Sequence, residues 1–135
     1  MTEPNLKSEG EKKVWKFLNE LGIDVRYEQP FMIQDSHNYW RIFYPDFYLP
    51  DFGILIEYYG VENNENYDKI RDDKKEAYSN TGMACIPLHG LKENWQDYIL
   101  KMIKTISKRR FLAYEKILNG EEGVKTLSKK LRDLG

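Results

Sequence analysis

Apolar residues recur every three to four positions near the start of the chain. Val14, Phe17, Leu18 and Leu21 form one stripe, and Lys12, Lys13 and Lys16 lie on the opposite side. The spacing predicts an amphipathic helix over 8–21. Ser8 followed by Glu11 three residues later is a capping-box opening, and Gly22 closes the helix. The pattern then changes. A short strand is expected over 23–27, and an aromatic and β-branched stretch over 31–49 is divided by the turn sequence Gln34-Asp35-Ser36-His37-Asn38. This predicts one strand ending near Ile33 and a single strand over 41–49. Pro50-Asp51-Phe52-Gly53 turns the chain into 54–59, which is apolar on both faces, as a central strand is. Beyond Gly60 a helix is expected over 67–79, a strand over 83–88, a helix over 92–118 and a last short helix over 121–134. The order α-β-β-β-α-β followed by helices predicts an α/β fold, a mixed central sheet flanked by helices.

Composition narrows the class. With 41% apolar and 32% charged residues in 135, the chain is long and apolar enough for one folded core, expected over 1–118 with a helical tail over 119–135. No apolar run approaches the ~20 residues of a membrane span, and the first residues lack the basic-then-apolar pattern of a secretory signal. A cytoplasmic protein with no membrane partner is expected. Cys85 is the only cysteine, so neither an internal disulfide nor a Cys-based zinc site is available, and its strand setting reads as packing, not thiol chemistry. His37 and His89 are isolated and show no metal-ligand spacing.

Two acids stand out against this background. Asp46 in Tyr44-Pro45-Asp46-Phe47 and Glu57 in Ile54-Leu55-Ile56-Glu57-Tyr58 both lie in apolar strand sequence, where an ionised carboxylate is costly without a positive partner. If the two strands pair as a hairpin across 50–53, the acids become near-opposite neighbours and repel unless a cation or a proton intervenes. Mg²⁺ takes carboxylate oxygens, so a hard divalent cation is a candidate partner. The competing reading is two strand-end carboxylates in water. Helical phasing adds Lys74, which falls in the stripe of Tyr67, Ile70, Ala77 and Tyr78, while Lys75 is rotated toward solvent. Glu11 lies beside the apolar stripe of the first helix and can face the sheet, or it can serve only as the partner of Ser8. Basic residues cluster at Lys101, Lys104, Lys108, Arg109 and Arg110, while 57–73 is acidic. This distribution suits a protein holding a phosphate backbone near a metal site, and it equally suits a solvated helix face.

Pro45-Asp46, then Glu57, on consecutive strands after a first helix resembles the PD-(D/E)xK nuclease superfamily, which includes restriction enzymes, resolvases and very-short-patch repair endonucleases. The stretch from Tyr44-Pro45-Asp46-Phe47-Tyr48-Leu49-Pro50 to Glu57-Tyr58-Tyr59-Gly60 looks like nuclease domains found alone or fused to helicases, and the resemblance covers about 8–105. It implies a restriction-endonuclease-like core and Mg²⁺-dependent hydrolysis of DNA phosphodiester bonds, structure-specific or nicking, with Mn²⁺ as a substitute. Asp46, Glu57 and the carbonyl of Ile56 or Tyr58 would hold the metal, Lys74 would act at the reacting phosphate, and Glu11 would complete the site. Lys12, Lys13, Lys16, Lys104, Lys108, Arg109 and Arg110 are the expected DNA contacts. Many members act as dimers, so a homodimer is a further expectation. The chain departs from the family at one position: Tyr59 stands where the motif has lysine, and Lys74 on the following helix stands where a migrated lysine would be. That departure leaves open a nuclease-like module that binds DNA or serves assembly without chemistry.

Overall fold

The computed structural model describes residues 3–60 and 65–120, together with 129, 132 and 133. The last helix expected over 121–134, and the side chain of Tyr67, lie almost wholly outside the described residues. The elements run α1 (Glu9–Glu20), β1 (Arg26–Tyr27), β2 (Phe31–Gln34), β3 (Trp40–Phe43), β4 (Phe47–Leu49), β5 (Ile54–Tyr58), α2 (Glu65–Asn80), β6 (Ala84–Leu88) and α3 (Trp95–Asn119). The chain divides into two compact units, Met1–Ile99 and Leu100–Gly135. The first holds the sheets, α1, α2 and the opening turn of α3. The second holds the remainder of α3.

Local sequence accounts for α1. The Ser8 hydroxyl accepts from the Glu11 backbone N–H at 3.1 Å and donates to the Glu11 carboxylate at 2.9 Å, satisfying an otherwise orphaned helix-end donor. At the other end Gly22 takes φ +77°, the left-handed conformation that closes a helix and strains any side chain. Val14 and Leu18 are buried as expected, but Leu21 is exposed and Trp15 is buried instead. The helix ends at Glu20, so Leu21 no longer follows the helical phase into the core.

The main sheet has the order β1-β4-β5-β6, with β5 and β6 parallel and the other pairs antiparallel. It is therefore a mixed sheet with β5 inside, and Ile54 to Glu57 are buried on both faces. One face carries Leu55 and Tyr48, packed with Ile33, Phe43, Ala77 and Tyr78 in a core contributed by α2 and the β2–β3 hairpin. The alternate residues of β5 face the other way. There the Tyr58 ring comes against Gly10 of α1, so closely that a Cβ at Gly10 would overlap it, while a Cβ at Gly60 would sit 2.8 Å from the ring's opposite edge.

The single strand expected over 41–49 is two strands in two sheets. β3 pairs only with β2, and β4 joins the main sheet between β1 and β5. Pro45 explains the break: it has no N–H for a ladder and restricts Tyr44 before it, so the chain leaves one sheet there and enters the other. Ile70 is also misplaced by helical phasing, since it is 56% exposed.

At Gly10 a Cβ would overlap the Tyr58 ring. Replacing a helical glycine by alanine ordinarily favours the helix by up to ~1 kcal/mol, whereas Gly10→Ala should destabilise the fold by about 1–3 kcal/mol through overpacking on Tyr58. Urea unfolding compared with the Tyr58→Ala/Gly10→Ala pair would check this, because removing the ring should restore the ordinary sign.

Candidate active site at the carboxyl end of the central strand

The β4–β5 register fixes the acids. Phe47 pairs with Ile56, Tyr48 with Leu55 and Leu49 with Ile54, so one further step sets Asp46 directly opposite Glu57. Asp46 lies just before β4, and its backbone carbonyl accepts from the Glu28 N–H at 3.1 Å. Its side chain replaces a ladder acceptor: Oδ2 takes the Tyr58 N–H at 2.7 Å. In a strand, the N–H and C=O of one residue project to the same edge. The Tyr58 carbonyl therefore projects to the edge where Asp46 stands.

Glu57 is 2% exposed, yet it carries three interactions. The Tyr78 hydroxyl donates to Oε1 at 2.8 Å, and Lys74 Nζ stands 3.9 Å from Oε2, beyond hydrogen-bond length. The third is Asp46. The two carboxyls act on each other, the interaction holding Asp46 down and pushing Glu57 up. Burial, then the Asp46 charge, pushes Glu57 up to about 8, against the pull of Lys74 and Tyr78. Burial likewise raises Asp46, opposed by the Tyr58 N–H and by Glu57. These are the conditions under which two carboxyls share one proton.

Helix α2 supplies the cationic side. Lys74 is 28% exposed along its side chain and leans over the acids, whereas Lys75 is exposed. Asp46, Glu57, Tyr58, Tyr59, Ile70, Arg71 and Lys74 line a cavity of about 110 Å³. Tyr59 is 8% exposed, with its ring stacked on His89 at 5.2 Å and the Arg71 guanidinium 5.6 Å from its centroid. Tyr78 and Arg71 are the site residues that sequence reasoning missed. The signal was available, since 71, 74 and 78 follow the i, i+3, i+7 spacing of one helix face. Tyr78 counts in that stripe as an apolar ring, and its hydroxyl carries no pattern of its own.

Glu11 stands apart from this group. It is buried, but it is held by Ser8 and faces the Tyr27 hydroxyl, whose pKa is raised first by burial and then by Glu11. Its charge is felt at Asp46 without contact. Among the described residues, no three His, Cys, Asp or Glu side chains converge as a metal cluster. The donor set that does converge is two carboxylates and a backbone carbonyl, all oxygen, the kind Mg²⁺ accepts while keeping most of its waters. Two neighbouring carboxyls that repel each other in a small cavity fit a divalent cation, which would offset that repulsion.

The remaining expected residues lie elsewhere. Lys12 and Lys16 pair with Glu9 at 3.0 Å and Glu20 at 4.0 Å on the exposed side of α1, and Lys13 is exposed there too. Lys104, Lys108 and Arg109 are exposed on α3 in the second unit, with Arg110 half-buried. Cys85 is half-buried, and burial pushes its thiol up to about 12, which suits packing better than nucleophilic chemistry. No described helix is long and apolar enough to cross a membrane. Comparison of the chain with known protein families, with curated proteins and with solved structures finds no match.

Glu57 gives a pH signature. Between its ordinary value of 4.5 and about 8, the folded chain holds a proton that the unfolded chain has released. Stability should therefore be fully present below pH 4.5 as far as this group is concerned, and fall by on the order of a few kcal/mol as pH rises toward 8. Denaturant midpoints of the wild type and Glu57→Gln across that range would check it, with the slope expected to flatten in the variant.

Proposed function

We propose that the chain is a metal-dependent DNA endonuclease with a restriction-endonuclease-like core. The observation that carries this reading is the set of Asp46, Glu57 and Lys74, drawn from two strands and a helix into one small polar cavity. A helix, an antiparallel β4–β5 hairpin bearing the acids, a second helix and a parallel β6 follow the order expected of that core. Lys74 supports the migrated-lysine reading of the motif, since its ammonium stands beside Glu57 while Tyr59 is held between His89 and Arg71.

Asp46, Glu57 and the Tyr58 carbonyl would hold Mg²⁺ or Mn²⁺. The ion would supply Lewis acidity toward a phosphoryl oxygen and lower the pKa of a coordinated water. The chain's own groups do the rest. The Tyr58 N–H fixes one Asp46 oxygen, and the Tyr78 hydroxyl fixes one Glu57 oxygen, so both carboxyls are oriented before substrate arrives. Lys74 brings a positive charge to the place where negative charge grows on the phosphate, in a cavity walled by Ile70 and Tyr59 that limits screening by water. Glu11 acts at a distance, raising the cost of ionising Asp46 without a cation. The exposed lysines of α1 and the basic run of α3 would contact the phosphate backbone, as lysine and arginine do without reading sequence.

One observation favours a second reading, a DNA-binding module without chemistry. Glu57 is almost inaccessible, and both its oxygens already have neighbours within 3.9 Å.

Cleavage of supercoiled, branched and single-stranded DNA with Mg²⁺ or Mn²⁺ separates the readings. Asp46→Ala, Glu57→Gln and Lys74→Ala should each lower the rate by roughly 100-fold or more. Cleavage that survives Asp46→Ala would reject the site, and binding without cleavage under either metal would favour the second reading. Binding itself should weaken with salt. Changing Lys12, Lys13 and Lys16 together to alanine should lower the log–log slope by up to ~0.9 for each phosphate those lysines neutralise.

A further inference from the structure

Beside the acid cavity lies a larger one of about 390 Å³, between α2 and the open edge of β6. This is within the ~300–1,000 Å³ range of small-molecule sites. It shares two walls with the acid cavity, Tyr59 and Arg71, so whatever enters it is next to whatever occupies the acids. Its two sides differ in chemistry. The β6 side presents Met83, Cys85, Pro87 and the exposed ring of His89, which β alternation brings to one face. The α2 side presents Arg71 and the exposed ammonium of Lys75, with Asp72 3.7 Å from Arg71 and Ser79 nearby.

A flat apolar wall facing a cationic one is complementary to a nucleotide, whose base is planar and whose phosphate is anionic. We propose that this cavity takes one unpaired nucleotide of the DNA, next to the phosphate held at Asp46 and Glu57. A base reaches a concavity of this size between a helix and a strand from a single strand or after leaving the duplex. The inference deepens the nuclease reading and rests on it for the position of the neighbouring phosphate. It names the substrate class: DNA that is single-stranded, frayed or branched where it is cut. Stacking falls to the exposed ring of His89, because Tyr59 is itself buried, with its ring stacked on His89 and met by the Arg71 guanidinium.

Cys85 makes the cavity directly observable, being the one thiol of the chain and part of its wall. The full chain without divalent metal is mixed with a single-stranded oligonucleotide, with a duplex of the same sequence, or with an abasic strand of equal length. Alkylation of Cys85 by N-ethylmaleimide is then followed by mass at alkaline pH. The single strand should slow alkylation several-fold, and the duplex and abasic strand should not. Fluorescence anisotropy provides a second measurement that does not depend on thiol reactivity. Ser79→Trp, which fills the cavity from an exposed helix position, should weaken single-strand binding at least about fivefold, the lower range for removing one base stack, and His89→Ala should weaken it in the same direction. Equal protection by the abasic strand or the duplex, or unchanged affinity in Ser79→Trp, would overturn the inference. Asp46→Asn cleavage is scored separately. Loss of cleavage in that variant with no cavity effect keeps the nuclease and rejects the nucleotide site. Cavity effects with no cleavage by the wild type under either metal keep the nucleotide site and reject the nuclease.

Discussion

Two carboxyl groups face each other across the β4–β5 pair, Glu57 buried and Asp46 half-buried, and repel unless a proton or a cation intervenes. At Asp46 and Glu57 that constraint pushes the Glu57 carboxyl up, while one oxygen of Asp46 is taken by the Tyr58 N–H and one oxygen of Glu57 by the Tyr78 hydroxyl. Much of the first unit serves to hold this arrangement. The backbone leaves one sheet at Pro45 and enters the other at Phe47, and the residue in that step is Asp46. Glu28, in the left-handed region at φ +51°, gives its N–H to the Asp46 carbonyl and its carboxylate to Lys7 at 2.7 Å. A non-glycine residue there carries a cost of about 1–3 kcal/mol, which the surrounding contacts must offset.

The same constraint explains the unequal treatment of the two faces of β5. The face toward α1 is apolar and closely approached, with Gly10 present because the Tyr58 ring leaves no room for a Cβ. The face toward α2 is apolar at Leu55 and polar one step later at Glu57, where α2 answers with Tyr78 and Lys74. Stability and the binding of a cation would therefore make opposite demands on one residue. A protonated Glu57 suits the fold, whereas an ionised one suits a cation, and the depth of burial sets how strongly the site waits for positive charge.

The candidate site is legible in the sequence in part because its signals are local. Acids in apolar strand sequence, a lysine within a helical stripe and the Ser8–Glu11 cap each depend on spacing within one element, and the structure brings Asp46, Glu57 and Lys74 together and forms the cap. Periodicity misplaces Leu21 and Ile70 because it assumes that a helix continues in phase and is covered along its whole length. It misjudges the strand over 41–49 because an apolar run does not say which sheet its halves join.

The sequence by itself determined the helix caps, the central strand, the mixed α/β class and the identity of the awkward acids, since these follow from backbone donors, side-chain volume and the cost of burying charge. Only the tertiary structure decided that Asp46 stands opposite Glu57 on the neighbouring strand, that Tyr78 and Arg71 belong to the same neighbourhood, and that Glu11 is tied to Ser8 and Tyr27. It also decided that Tyr59 is enclosed by His89 and Arg71. The reason is physical: each of these depends on register across strands or on the approach of a helix to a sheet, and neither distance is encoded in any single stretch of chain.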